Sequence, residues 1–208
     1  MPPESSSRRG ELRRKLNLPG GFLFAYSGKL NKGKGLEMLL RVWRDVVRDR
    51  RDVSLLLIGS GAGHFISCER ELRDFVSKEK LGGSVIFTGY VSNVWEYLQA
   101  VDSFVFPSEQ ESFALAPLEA MACGLPVVTT RVGELDKIVS ETTGGILVEP
   151  GDEDGLKKAL EQVLQNIADF KNRSAKARDI VVSSYGIDFI AEQHEKLFAG
   201  LLSGRERK

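Results

Sequence analysis

Long apolar runs are missing from this sequence. None approaches the roughly 18 residues that a helix needs to cross a bilayer, so no segment reads as a membrane span. The opening stretch MPPESSSRRGELRRKL is basic in flavour, but no apolar segment follows its charges, so it does not read as a signal peptide. Residues 1–20 are expected to form a linker or tail leading into a short helix. Excess charge is missing too. Twenty-nine Lys and Arg balance twenty-nine Asp and Glu, which argues against the basic footprint of a nucleic-acid binder. Cysteine is scarce. Cys68 and Cys123 have no close partner in sequence and no metal-ligand spacing. They read as reduced, partly buried thiols of a cytosolic protein.

What is present suits a soluble α/β chain. An apolar content of 42% and a charged content of 28% over 208 residues can bury a core without a disulfide or metal. Short apolar runs at Phe22–Tyr26, Val53–Gly59, Val85–Gly89, Ser103–Ser108, Pro126–Thr130 and Gly145–Pro150 predict six buried strands. Helical spacing lies between them, over about 36–47, 65–79, 94–100 and 115–122, with another short helix before the sixth strand. From Asp152 onward the pattern is helical. One stripe holds Leu156, Leu160, Val163 and Leu164; another runs from Ile187 through Ile190, His194, Leu197 and Phe198 to Leu201. Trp43 and Trp95 fit core-facing stripes, and His194 reads as a packing residue. The fold expected for residues 21–184 is therefore α/β, Rossmann-like, with a parallel six-stranded sheet covered by helices on both faces. Residues 185–208 are expected to add a C-terminal helix. Ligands of such sheets bind at the carboxyl ends of the strands. That directs attention to the loops Ser27–Gly35, Gly59–His64, Thr88–Ser92, Pro107–Phe113 and Thr130–Glu134.

Three of these loops carry chemistry. Gly28, Gly33 and Lys34 match seven positions of a phosphate-binding P-loop, but Gly35 stands where Ser or Thr would hold magnesium. No strand ends in an acidic metal partner either. What remains is an anion site: glycines, Lys29, Lys34 and the N–H groups of a helix start. Gly59-Ser60-Gly61-Ala62-Gly63-His64 approaches a dinucleotide fingerprint, yet His64 replaces the third glycine and the turn follows the second strand, not the first. A glycine-rich turn beneath a shared cleft fits better, with His64 at its rim. In the third stretch Glu111 reads as a loop residue and Glu119 as a helix residue eight positions on. Between them Phe113, Ala114 and Leu115 offer amides at a helix N-terminus. Glu119 lies in an apolar run, and a carboxylate there needs donors such as a ribose diol.

These segments resemble the retaining glycosyltransferases of family 4 with the GT-B fold. ESFALAPLEAMACGLPVV, from Glu111, resembles that family's E-x7-E segment, and FAYSGKLNKGKGLEMLL its phosphate loop. LLLIGSGAG, VIFTGYVS and GGILVEPGD follow in the family's order, so the resemblance covers about residues 20–200. It implies the C-terminal, nucleotide-sugar-binding domain of a two-domain enzyme whose N-terminal Rossmann-like partner lies outside this sequence. By position, Gly28, Lys29 and Lys34 would hold the diphosphate, with Lys29 in place of the usual arginine. Tyr90 and Val91 would lie near the base. Glu111 would contact the donor sugar, the amides of Phe113, Ala114 and Leu115 would face sugar and phosphate, and Glu119 would hold the ribose. Ala114 replaces a usual glycine. Downstream only Gly133 carries over.

The resemblance further implies a hexosyltransferase that works without a cofactor or metal on a UDP-, GDP- or ADP-sugar, UDP being the family's commonest. Lys34 and Glu111 are the residues expected to carry catalysis. The acceptor would be a glycan, a lipid or a small molecule, with no role for nucleic acid. The protein would be cytoplasmic, or held at the inner face of a membrane through the other domain. The chain alone is expected to be inactive. The alternatives are a sugar-nucleotide binding module without catalysis and a GT-B-like sugar-nucleotide epimerase.

Overall fold

The computed structural model describes residues 6–48, 50–140 and 143–205. Residues 1–5 of the expected tail and 206–208 of the expected C-terminal helix lie outside the described residues. The chain runs α1 (Ser6–Lys15), β1 (Phe22–Ser27), α2 (Leu36–Val46), β2 (Val53–Ile58), α3 (Glu69–Lys78), β3 (Val85–Gly89) and α4 (Val94–Ala100). It continues through β4 (Ser103–Phe106), α5 (Leu115–Ala122), β5 (Val127–Thr130), α6 (Leu135–Ile138) and β6 (Gly145–Val148) to α7 (Glu153–Gln165), α8 (Ile167–Tyr185) and α9 (Ile187–Arg205).

The six strands pair in parallel in the order β3-β2-β1-β4-β5-β6. Both neighbours of β1 bury their faces completely, as do β5 and all but the first residue of β1 itself. That is why these strands read as continuous apolar runs and not as alternating ones. Right-handed crossovers place α2 and α3 on one face, where α7 joins α2; α1 against α4 and α5 against α8 cover the other. Trp43 on α2 anchors the first layer. It is fully buried, edge-on to Phe24 at 5.8 Å, and its indole N–H donates to Ser84 Oγ at 3.2 Å.

Strand order reverses between β1 and β4. The loops after these two strands therefore diverge around a crevice at the carboxyl edge, the natural ligand position of an open α/β sheet.

Several expectations shift. Helix α1 is docked, not a free tail: Arg13 donates to the carbonyls of Ala100, Gly20 and Gly21 and to Asp102 Oδ2. Helix α3 starts at Glu69 instead of Phe65, because residues 60–67 form a braced turn. Ser60 Oγ and the Gly61 amide both donate to Glu69 Oε2 at 2.8 Å, and a Cβ on Gly61 would lie 2.0 Å from Ser67 Oγ. Gly59 and Gly61 thus serve close packing and Gly63 supplies a left-handed turn residue, so no dinucleotide fingerprint is needed to explain them. Trp95 is 40% exposed, not a core residue, because α4 turns it toward a surface cavity. The apolar stripe of α9 is also exposed, with Ile187, Leu197, Phe198, Leu201 and Leu202 between 57% and 79% open. His194 is therefore no packing residue; its Nδ1 lies 2.8 Å from the Ile190 carbonyl on the same helix. The Asp152-Glu153-Asp154 run supplies a helix cap: Asp152 Oδ1 accepts from the Gly155 amide at 2.8 Å.

Candidate functional site

The phosphate loop is built by close approach. Gly28, Gly33 and Gly35 all have positive φ. At Gly35 the reason is compelling. Its φ is 65°, and a Cβ there would lie 1.9 Å from the Pro107 carbonyl oxygen. No serine or threonine fits, so the P-loop likeness ends at this residue for a packing reason. The contact also locks the loop after β1 onto the loop after β4, as does the Glu109 amide donating to the Gly33 carbonyl at 3.0 Å. Beneath the loop, the buried Tyr26 hydroxyl donates to the Lys29 carbonyl at 3.0 Å. Burial, with the Glu111 carboxylate adding to it, pushes the Tyr26 phenol up, so it stays neutral.

The crevice brings Lys34 and Glu111 together. Lys34 Nζ lies 2.6 Å from Glu111 Oε1, and both side chains are mostly buried. Two helices begin at this crevice, α2 after Gly35 and α5 after Ala114, and neither N-cap residue makes a side-chain cap. The first amides of a helix have no intrahelical acceptor, and with the positive ends of both dipoles behind them the arrangement suits an anion. The amides of Phe113, Ala114 and Leu115 lead into α5 as expected. Ala114 takes a left-handed backbone, φ 66°, so the glycine usual at this position in the resemblance has a conformational reason. Gly133, after β5, closes the crevice; a Cβ on it would lie 2.7 Å from the Ser112 carbonyl oxygen.

Three cavities adjoin the crevice. One of about 460 Å³ is lined by Gly28, Lys29, His64, Tyr90 and Val91 among others, so it joins the ends of β1, β2 and β3. Tyr90 is 84% exposed at its mouth. A second, of about 440 Å³, shares Val94 with the first and reaches Trp95, Leu98 and Glu119. A third, of about 420 Å³, is apolar and lies between Phe113, Leu118, Tyr185 and Glu119. Glu119 therefore stands between two apolar cavities and remains solvent-exposed, where the sequence suggested burial. Desolvation by its neighbours raises its carboxyl above the ordinary range. Another cavity of about 420 Å³ opens at the opposite edge of the sheet among Arg44, Arg48, Arg50, Arg51 and Lys80. There the basic side chains offset the negative ends of α2 and α3, and Arg44 and Arg48 already pair with Asp45.

Sequence reading missed Tyr26, Ser108 and Thr130. The first two act through their hydroxyls on backbone or side chain of the two loops, and no spacing rule announces such contacts. Cys68 is buried, and burial with nearby Glu37 pushes its thiol up to about 12, which leaves it inert.

Comparison with known proteins agrees with this fold. The family profile described as Glycosyl transferases group 1 matches residues 21–166. The N-acetyl-alpha-D-glucosaminyl L-malate synthase of Bacillus anthracis is 29% identical over 86% of this chain and 46% of its own length. The lipopolysaccharide core biosynthesis mannosyltransferase LpsB of Rhizobium meliloti is 31% identical over 84% of this chain and 49% of its own. Anabaena Alr3699/HepE, solved in complex with UDP and glucose, superposes with a TM-score of 0.85 at 22% identity, over 94% of this chain and 53% of that one. The chain thus spans about half the length of these relatives. With the profile matching well over half its residues and the sheet, crevice and paired loops in the arrangement of the GT-B fold, the chain belongs to the glycosyl transferases group 1, as a C-terminal GT-B glycosyltransferase domain.

Proposed function

We propose that this chain binds the donor of a retaining, metal-independent hexosyltransferase, and that the donor is a UDP-sugar. The observation that carries the reading is the Lys34–Glu111 pair, held where strand order reverses and flanked by two uncapped helix starts. A diphosphate leaving group gathers negative charge as the glycosidic bond breaks. Lys34 and the first amides of α2 and α5 stabilise that charge with no reorganisation at the moment of reaction. Lys29 adds a point charge at the edge of the first cavity. Tyr90 and Val91 border the base, Glu119 accepts the ribose hydroxyls, and Glu111 accepts hydroxyls of the sugar. Both glutamates bind; neither serves as a glycosidase-type acid or base. Anomeric configuration is kept by attack from the face the nucleotide leaves. The UDP seen on Alr3699/HepE supports the choice of base.

Half of the cleft is supplied by a second Rossmann-like domain of the parent protein, which brings the acceptor, whether glycan, lipid or small molecule. The exposed apolar face of α9 is the surface that this domain covers. Alone, the chain binds donor without transferring it. No helix among the described residues is long and apolar enough to cross a membrane; any attachment to the inner face of a membrane is through that domain.

Calorimetry with UDP-, GDP- and ADP-sugars tests the reading. Stabilisation by the UDP class alone is expected. Lys34→Ala should weaken UDP binding by about ten- to a hundredfold, since a charge-assisted contact is worth about 1.5–3 kcal/mol. Unchanged affinity in that variant would overturn the assignment.

A further inference from the structure

We propose that Ser108 is a positioning residue for donor-sugar recognition, fixing the Glu111 carboxylate so that one oxygen is anchored and the other is left to accept a sugar hydroxyl. The inference rests on the donor-site reading above. Ser108 is fully buried two residues beyond the end of β4. Its Oγ lies 2.8 Å from Glu111 Oε1, and farther from the carbonyls of Gly33, at 3.3 Å, and Gln110, at 3.4 Å. A hydroxyl has one proton to donate. The ionised carboxylate takes it, as the shortest and the only charged acceptor of the three.

Lys34 Nζ donates to that same oxygen at 2.6 Å. Among the described residues both donors converge on Oε1, and no donor reaches Oε2. Two fixed donors on one oxygen hold the carboxylate against rotation. Ser108 is itself held from behind, because Thr130 Oγ1 donates to its carbonyl oxygen. Next along the chain, the Glu109 amide is tied to Gly33. The brace therefore runs from β5 through Ser108 to the phosphate loop, and Glu111 is placed in register with Lys34 by the fold before any ligand arrives. Such preorganisation is what a sugar hydroxyl contact needs in order to discriminate.

The test is calorimetry on the whole chain with UDP and with UDP-glucose, UDP-galactose and UDP-N-acetylglucosamine, using the UDP-sugar that wild type binds best. Four variants are compared: Ser108→Ala, Ser108→Thr, Glu111→Gln and the Ser108→Ala/Glu111→Gln double. Ser108→Ala is expected to weaken UDP-sugar binding about tenfold more than UDP binding. Glu111→Gln should show the same selective loss, and the double variant should be no worse than Glu111→Gln alone, because both changes remove one coupled function. Ser108→Thr keeps the hydroxyl and should restore the selective affinity; if it does not fold, the other three variants still decide. A Ser108→Ala chain that weakens UDP and UDP-sugar equally, or adds fully to Glu111→Gln, has lost only local structure and overturns the inference. A wild-type chain that binds none of these nucleotides overturns the donor-site reading and this inference with it.

Discussion

Single residues decide this crevice through their backbone as much as through their side chains. Gly35 is the clearest case. Restoring the P-loop pattern with Gly35→Ser puts a Cβ where the Pro107 carbonyl lies and forces a left-handed backbone on a residue that disfavours it. Strain and overpacking together should cost roughly 3 kcal/mol, read as a lower urea midpoint, with no gain of magnesium-dependent hydrolysis. Ala114 is the converse. Its left-handed conformation costs about 1–2 kcal/mol, and Ala114→Gly returns part of that to the unfolded chain as entropy. A net stabilisation of about 0.5–1 kcal/mol is expected. Glu119 should govern the pH dependence of binding. Apolar neighbours raise its carboxyl, and in the proposed role only the ionised form would accept both ribose hydroxyls. UDP affinity should therefore fall as pH drops through that raised value, and Glu119→Gln should lose the fall along with about tenfold in affinity. None of the three positions reveals its geometry by residue type alone. Glycine and glutamate were legible as candidates; the carbonyl facing Gly35 and the cavities flanking Glu119 come from elsewhere in the chain.

Among the elements, α1 departs most from its local sequence. It has no apolar stripe worth the name, yet it is fastened to the sheet by charge. Asp102, at the foot of β4, accepts from Arg13 at 2.6 Å, Lys171 at 3.0 Å, Arg9 at 3.2 Å and the Leu23 amide at 3.0 Å. Burial pushes the Asp102 carboxyl up, but Lys171, the Leu23 amide and Arg13 outweigh it and hold the carboxyl below its ordinary value of 3.8. One aspartate thus joins α1, β1 and α8. Asp102→Ala leaves three partly buried cations without this partner and should destabilise the chain by about 3 kcal/mol. A lowered carboxyl contributes its stability above the unfolded value and loses it as pH falls through the folded one. The gap between wild type and Asp102→Asn in thermal unfolding should accordingly close below pH 3.8. The strands and the helices α2, α4 and α5 were readable to within two residues, because burial on both faces leaves apolar runs that local sequence records. α1 was not, because ion pairs between residues some ninety positions apart leave no periodicity.

At the scale of the molecule, the exposed stripe of α9 is the feature that this chain does not explain by itself. Leu201 is 60% exposed, so Leu201→Lys should change the stability of this chain by less than about 0.5 kcal/mol. On the proposed reading, in which a second domain covers this face, the same change in a two-domain protein should loosen the two domains, seen as a lower unfolding midpoint there. The sequence by itself determined the alternation of strands and helices, the six-stranded parallel sheet and the order of the ligand-bearing loops. It could do so because burial and helix periodicity are local properties of the chain. Only the tertiary structure decided which side chains meet: Gly35 against Pro107, Ser108 and Lys34 on one oxygen of Glu111, Asp102 among three cations. Those contacts arise where β1 and β4, 81 residues apart in their first positions, are set side by side by the sheet, and no local pattern encodes a neighbour that distant.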